Sequence, residues 1–361
     1  MAPLRTSSIT AAAIVIGTIL GGFCGHAPAQ ELIRTSQSGA DERWAEPSAF
    51  RLDISSGAQT ELKPETGGMT SPSWSPDGSR LVFCGGVASG FGLFVSDADG
   101  SDPVMIAGDG TASQAAWSPD GEWIAFTGLW RGGEPGLFLV RPDGSDLVRI
   151  SHGMSPSWSP DGRRLAFFDA TTSPLRIAVH ELDTGRSTHV ADFGPFPLPW
   201  GELVFAHDAT ALYYTKTVRG AGGRFSAEVR RVTMRDGGDV AVAEGSATRL
   251  LGASPDRHTL ALLRADPDRE HAAVITLLDV TTGAERALFS TRGPTGLSVL
   301  GSRTIANFAW APESPLVAFE LSVPGKPGAR SGVVLADLER GLASPPIGGT
   351  VQYATGFAWR P

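Results

Sequence analysis

The fold of this chain is decided by one five-residue motif that occurs three times, as Trp74-Ser75-Pro76-Asp77-Gly78, Trp117-Ser118-Pro119-Asp120-Gly121 and Trp158-Ser159-Pro160-Asp161-Gly162. The copies are spaced by 43 and 41 residues. Pro-Asp-Gly suits a tight β-turn, because proline fixes φ, aspartate accepts hydrogen bonds from backbone N–H groups, and glycine accepts a positive φ. The tryptophan is a wide apolar plate, which we expect to pack between neighbouring repeats.

Each copy of the motif is followed by the same succession of short segments. An apolar run comes first, at 80–83, 123–126 and 164–167, and a second run follows a connecting loop, at 91–95, 137–140 and 175–179. A turn and a last short run complete the unit. Four short strands in about 40 residues are typical of one blade of a β-propeller.

Weaker copies of the motif continue the pattern to the end of the chain. We place the ends of the first strands at residues 74, 117, 158, 200, 253, 310 and 359. Residues 31–36, 49–54 and 60–62 then read as the second, third and fourth strands (B, C and D) of a blade whose first strand (A) is the last strand of the chain. The sequence therefore predicts an all-β fold, a seven-bladed β-propeller closed by N-terminal strands B, C and D plus C-terminal strand A. Six blades is the alternative, because residues 245–309 are poorly marked.

The first thirty residues have the layout of a secretory signal peptide. Arg5 supplies a positive start, residues 9–23 are uncharged and mostly apolar, and Ala27-Pro28-Ala29 offers a cleavage site after Ala29. We therefore predict a signal peptide at 1–29 and a propeller domain at 30–361, exported to the periplasm or secreted, with no membrane span after cleavage. A retained anchor is the alternative, and a lipid on Cys24 is disfavoured because Phe23 is not small.

Cys84 is the one cysteine left after that cleavage. An intramolecular disulfide is then excluded, so the exported chain depends on its core for stability. Because Cys84 stands in the apolar run 81–84, we expect a buried and inert thiol.

Composition and motifs disfavour several functional classes. A formal net charge of −8 is unlike that of a nucleic-acid binder. Gly-x-Ser-x-Gly, the P-loop, the dinucleotide fingerprint and His-Glu-x-x-His are absent from the sequence, and we expect no cofactor. His152 is a weak candidate for a metal ligand on the propeller axis. Asp97, Asp99 and Asp102 resemble part of a calcium loop, although a hairpin turn explains them better.

The repeat resembles the WD-repeat-like β-propeller repeat of the TolB type. That pattern combines the Trp-Ser-Pro-Asp-Gly turn and an apolar strand with a later Asp-x-Asp-Gly-Ser turn, which Asp97-Ala98-Asp99-Gly100-Ser101 matches in full and 141–145 matches in its last three residues. The resemblance implies a propeller and fades after about residue 190. It implies no peptidase activity, and residues 30–70 are too few for the N-terminal α/β domain that TolB proteins carry.

The loops between the second and third strands predict a binding face. They carry or adjoin arginines and aromatic residues, which tend to dominate protein interfaces. The candidates are Trp130, Arg131, Arg219, Arg224, Phe225, Arg264, Arg269 and Arg330. We expect a monomeric, non-catalytic binding module for a protein or an envelope component. The alternative is a lyase or hydrolase with a metal or acid–base site at the axial mouth.

Overall fold

The structure, a computed structural model, describes most of the chain beyond residue 30. The described residues are 31–37, 48–54, 58–62, 64–88, 90–108, 110–130, 135–171, 175–194, 202–219, 225–243, 248–265, 273–290, 305–312, 314–322, 331–339, 342–343, 347–351 and 353–360. The predicted signal peptide therefore lies outside them. Within these residues the chain forms strands and turns, and it contains no helix long and apolar enough to cross a membrane.

The strands follow one another in chain order with short connections. In the first half they are β1 (Glu31–Gln37), β2 (Ser48–Asp53), β3 (Gln59–Leu62), β4 (Thr70–Trp74), β5 (Arg80–Val87), β6 (Gly90–Asp97), β7 (Val104–Ala107), β8 (Gly110–Trp117), β9 (Ile124–Trp130), β10 (Pro135–Val140), β11 (Val148–Ser151), β12 (Gly153–Trp158), β13 (Arg164–Asp169), β14 (Leu175–Glu181) and β15 (Arg186–Gly194). In the second half they are β16 (Val204–Phe205), β17 (Ala211–Arg219), β18 (Phe225–Thr233), β19 (Asp239–Ala243), β20 (Arg249–Ala253), β21 (Thr259–Ala265), β22 (Ala273–Asp279), β23 (Glu285–Ser290), β24 (Ile305–Trp310), β25 (Leu316–Ser322), β26 (Ser331–Asp337), β27 (Leu342–Ala343), β28 (Ile347–Val351) and β29 (Tyr353–Trp359).

Consecutive strands pair antiparallel into small meandering sheets. The strand orders are β4-β5-β6-β7, β8-β9-β10-β11, β12-β13-β14-β15, β16-β17-β18-β19, β20-β21-β22-β23 and β24-β25-β26-β27, with β28 also paired to β26. A single parallel pairing of Phe91 with Thr111 joins the first two of these groups into one sheet. The prediction of an all-β chain is confirmed for the described residues.

One further sheet joins the two ends of the chain. Strands β1, β2 and β3 lie where the sequence predicts strands B, C and D, and β29 lies where it predicts a first strand. The four hydrogen-bond in the order β29-β1-β2-β3, with Ile33 opposite Ala358 and Leu32 opposite Trp359. Arg360 then donates to Glu31 Oε2 at 2.8 Å and to the carbonyl of Gly78 at 3.1 Å, which ties this sheet to the turn of the next one.

The repeated tryptophans fill the space between neighbouring sheets. Trp74 is 6% exposed and packs with Ile33 and Leu62 of the preceding sheet and with Phe83 of its own. Trp158 is equally buried, and its Nε1 donates to the carbonyl of Ala116 in the preceding sheet at 3.1 Å. Each ring therefore belongs to the core of two sheets at once.

The turn after each tryptophan is stabilised by its own side chains. Ser75 Oγ donates to Asp77 Oδ1 at 2.6 Å, and the same carboxylate oxygen accepts from the backbone N–H of Ser79 at 3.1 Å. The backbone N–H of Arg80 donates in turn to Ser75 Oγ at 2.9 Å. Gly78 adopts a φ of 65°, which glycine accepts without strain. Equivalent bonds form around Asp120, Asp161 and Asp256.

The first strand predicted to end at residue 200 lies later in the chain. Val204 and Phe205 form this first strand, β16, whereas Trp200 lies outside the described residues. The degenerate turn is instead residues 205–209, since the backbone N–H of Ala209 donates to Ala206 and Asp208 accepts from the backbone N–H of Thr210 at 3.0 Å. Phe205, which is fully buried, occupies the position that Trp74, Trp117 and Trp158 occupy in their repeats.

We predict that Trp158→Phe lowers the free energy of unfolding by about 1 kcal/mol more than Trp117→Phe does, because only the former breaks an indole hydrogen bond. Trp117 is a matched control: its ring is 7% exposed, and its buried Nε1 has no hydrogen-bond partner in the described part of the chain. Urea unfolding of both variants measures the difference. Equal losses would contradict the role given to the Trp158 bond.

A second prediction concerns acid. The hydrogen bonds from Ser75 and Ser79 lower the pKa of the Asp77 carboxyl to about 2. A folded-state pKa below the unfolded value of about 3.9 stabilises the fold above that value, and the stabilisation is lost as the pH falls toward 2. Wild type should therefore exceed Asp77→Asn in stability at neutral pH, and the gap should close toward pH 2.

Carboxyl-carbon NMR measures the Asp77 titration directly, and Ser75→Ala should move its pKa upward. A wild-type Asp77 that titrates near 3.9 would contradict the assignment of these hydrogen bonds.

Candidate binding face

The connections between second and third strands emerge at one end of each sheet. In an antiparallel meander that end also carries the start of the first strand, and we call this end the loop face. Trp130 ends β9, Arg219 ends β17 and is paired with Phe225 at the start of β18, and Arg264 lies one residue before the end of β21. The backbones of these four predicted site residues therefore lie at the loop face. Arg131, Arg224, Arg269 and Arg330 lie outside the described residues.

Arg264 is committed to its own sheet. Its Nη1 and Nη2 donate to the two carboxylate oxygens of Glu285 at 2.8 and 2.7 Å. The side chains of Arg264 and Glu285 are 22% and 36% exposed, so this bidentate ion pair is only partly screened by water. Both terminal nitrogens of the Arg264 guanidinium are thus already hydrogen-bonded within the protein.

His152 lies between β11 and β12 at the loop face. Its Nδ1 is 2.7 Å from Nη2 of Arg149, a distance at which the guanidinium donates and the imidazole lone pair accepts. No group of three or more His, Cys, Asp or Glu side chains that could hold a metal ion occurs among the described residues. This contact of His152 is with a cation, the Arg149 guanidinium.

Asp97 and Asp99 form a hairpin turn. Asp99 Oδ1 accepts from the backbone N–H of Ser101 at 3.0 Å and from its hydroxyl at 2.6 Å, and the backbone N–H of Asp97 donates to the Ser101 carbonyl at 3.1 Å. These bonds lower the pKa of the Asp99 carboxyl. One carboxylate of the calcium-like segment is therefore used by the turn.

Sequence reasoning missed a histidine–aspartate pair near the loop face. Asp169, the last residue of β13, is 6% exposed, and its Oδ2 lies 2.6 Å from Nε2 of His189 on the outer strand β15. Burial opposes ionisation, but hydrogen bonds from His189 and the backbone N–H of Thr171 outweigh it and lower the pKa of Asp169. Twenty residues separate the pair in the chain, and only the meander of β13, β14 and β15 brings it together.

The first strands carry polar side chains on their inner edge. Gln114 in β8 bridges to β12: its Nε2 donates to Ser155 Oγ at 3.1 Å, and its Oε1 accepts from the backbone N–H of Ser155 at 3.1 Å. Ser71, Gln114 and Ser155 take φ values of 49°, 53° and 55°, each within a break in strand register three residues before the tryptophan. The repeated bulge turns these residues toward the neighbouring first strand.

Sequence reasoning also missed two opposite charges at this inner edge. Glu202 comes two residues before β16 begins, and Arg249 is the first residue of β20. Beside Arg249, the backbone N–H of Leu250 donates to Thr215 Oγ1 at 2.9 Å, which ties β20 to β17 of the preceding sheet. No sequence signal marks either residue.

Comparison with known proteins places the chain among β-propellers. No protein-family model matches it. It is 38% identical over 124 residues to a TolB homolog of Chlorobium luteolum, covering 32% of this chain and 27% of that protein. It is 29% identical over 169 residues to the Tol-Pal system protein TolB of Francisella tularensis, covering 43% and 39%. The chain thus matches well under half of the length of these relatives.

Solved structures share the fold at low sequence identity. TolB of Acinetobacter baumannii superposes with a TM-score of 0.53 at 16% identity, covering 91% of this chain and 81% of that one. An oligogalacturonate lyase in complex with manganese gives 0.57 at 13%, covering 88% and 85%. A puromycin hydrolase gives 0.61 at 15%, covering 91% of this chain and 53% of that one. The shared fold accommodates different functions, so the fold alone assigns none.

We predict that Arg264 and Glu285 couple by about 1 kcal/mol in a double-mutant cycle, because the pair is bidentate and half-buried. The Arg176–Asp192 pair is the control: it has a single contact at 3.2 Å, its side chains are 40% and 71% exposed, and its coupling should be about 0.3 kcal/mol or less. Chemical unfolding of the single and double variants measures both values. Similar coupling in the two pairs would contradict the structural role of Arg264.

Proposed function

We propose that this chain, which is built on TolB-type β-propeller repeats, forms a seven-bladed propeller whose ring is closed by the pairing of β29 with β1. Its support is the sheet β29-β1-β2-β3, which takes strands from both ends of the chain. Further support comes from the first strands, since β29 lies against both β24 and β4, and β4 in turn lies against β8. In this arrangement the first strands line an axial channel.

The propeller serves as an exported, non-catalytic module that binds a protein or another envelope component in the periplasm. The observation that carries this proposal is the loop face, where Trp130, Arg219, Phe225 and Arg264 lie at strand ends of three sheets. Arginine and aromatic residues tend to dominate protein interfaces. The similarity to proteins named as members of the Tol-Pal system supports an envelope setting. A net charge of −8 favours such a partner over a nucleic acid.

The opposite face, which carries the repeated turns, is a poorer candidate. The carboxylates of its aspartates accept hydrogen bonds from backbone N–H groups of their own turns. Examples are Asp77, Asp99, Asp143 and Asp256. Residues that are fixed by the fold leave little freedom for recognising a partner. We therefore propose recognition at the loop face, where Trp130, Arg219 and Phe225 lie at strand ends; Arg131 and Arg224 are their neighbours in the sequence.

We expect a photo-reactive amino acid at Trp130 or at Arg224 to form a covalent adduct with an envelope protein in living cells. The matched control is the same amino acid at Arg163, an exposed residue in a turn of the opposite face, which should form none. Gel mobility and mass spectrometry of the adducts decide the result. Adducts from Arg163 alone, or equal adducts from all three positions, would overturn the assignment of the face.

The mature protein should begin at Gln30, because cleavage is expected after Ala29. N-terminal sequencing of the protein from the periplasmic fraction measures this directly. A mature chain that keeps residues 1–29, or one that begins at a lipid-modified Cys24, would contradict the proposed export route.

A further inference from the structure

Two histidines from neighbouring sheets stack on each other at the face that carries the repeated turns. His207 lies in the turn between β16 and β17, and His258 lies in the turn between β20 and β21. Their ring centroids are 4.8 Å apart, and their ring planes are inclined by 32°. The contact therefore brings together two side chains of the type that most often binds transition-metal ions in proteins.

The backbone beside this contact is held by hydrogen bonds, so the pair is positioned by the fold. The backbone N–H of His258 donates to Asp256 Oδ1 at 3.1 Å, which fixes its turn. Arg257 Nη1 donates to the carbonyl of Phe205 at 3.1 Å, across the gap between the two sheets. Phe205 comes two residues before His207, so this bond ties the turn of one histidine to the turn of the other.

The ring nitrogens of the pair are available to a ligand. The other described histidines each place a ring nitrogen within hydrogen-bond distance of a neighbouring side chain; they are His152, His180 and His189. His207 and His258 are exposed, and no hydrogen bond or ion pair engages their rings within the part of the chain that the structure describes. The pair thus combines proximity with free coordinating atoms.

We infer that His207 and His258 bind one divalent transition-metal ion of the kind that prefers imidazole, such as Zn²⁺, with water in its remaining positions. Zinc–nitrogen bonds of about 2.0–2.1 Å in a tetrahedral site place two imidazole centroids about 5 Å apart, and the observed separation is 4.8 Å. Because both side chains are exposed, rotation about χ2 turns one nitrogen of each ring toward the same ion. No group of three or more potential ligands occurs among the described residues, so the site is open to solvent, unlike a closed structural zinc site.

The surrounding charge suits a cation, and the site is separate from the partner proposed for the loop face. Asp208 follows His207 directly, and Asp256 lies in the turn of His258. Their negative charges offset the positive charge of Arg257 between the two turns. No residue of the loop face takes part, so loss of metal binding and loss of partner binding are independent outcomes.

Calorimetric titration of the full mature chain with zinc chloride tests the inference, and magnesium chloride supplies an ion that prefers oxygen ligands. We expect Zn²⁺ to bind about ten-fold or more tightly than Mg²⁺. His207→Gln and His258→Gln should each weaken Zn²⁺ binding by about ten-fold or more, since even the indirect partners of metal ligands contribute that much. The matched control is His180→Gln, which removes a histidine bonded to Ser187 and should bind like wild type. Imidazole NMR should show the signals of both His207 and His258 shifting as Zn²⁺ is added.

A further variant separates loss of a ligand from loss of folding. A thiolate also binds Zn²⁺, so His207→Cys under reducing conditions should bind about ten-fold or more tightly than His207→Gln. The inference is overturned if Zn²⁺ does not bind, if Mg²⁺ binds as tightly, or if either glutamine variant of the pair keeps the wild-type affinity. It is equally overturned if His180→Gln loses as much affinity as they do, or if His207→Cys binds no better than His207→Gln.

Discussion

The structure depends on one repeated interaction, the burial of an aromatic ring between two sheets at the end of a first strand. Trp74 packs against Ile33 and Leu62 of the sheet before it, and Trp158 packs against Leu137 and Leu139 in the same way. A small sheet cannot bury its apolar faces alone, so each blade is stable only against its neighbours. The serine–aspartate turn behind each ring fixes the direction in which the chain returns.

Sequence reasoning recovered the repeats whose turn chemistry is intact. The copy at 253–256 was recognised although it lacks tryptophan, because Ser254 and Asp256 still make the turn. The copy at 205–209 was misplaced, since phenylalanine replaces tryptophan, Ala206 replaces serine and only Asp208 remains. Contacts that depend on how the chain is laid out in space could not be predicted. The pair Asp169–His189 joins residues that are distant in the chain and carry no motif.

The two ends of the sheets in this fold differ in the chemistry of their connections. At one end, the repeated turns use their serine and aspartate side chains for hydrogen bonds within the turn. The lowered pKa of the Asp77 carboxyl is a consequence of these bonds. At the other end, the loops differ in length and composition, and Arg264, the candidate whose side chain the structure describes, is tied to its own sheet. The physical requirement for constant turns is thus one reason why we propose recognition at the loop face.

The pairing of β29 with β1 offers the most direct test of this account, because the proposed ring closes only through the last strand. A chain that ends at residue 352 lacks β29 and with it the partner of β1. Hydrogen exchange of this truncated chain should show lost protection in β1, β2 and β3 and in the adjacent β4, with recovery when a peptide of residues 353–361 is added. Unchanged protection in those four strands would contradict the central claim.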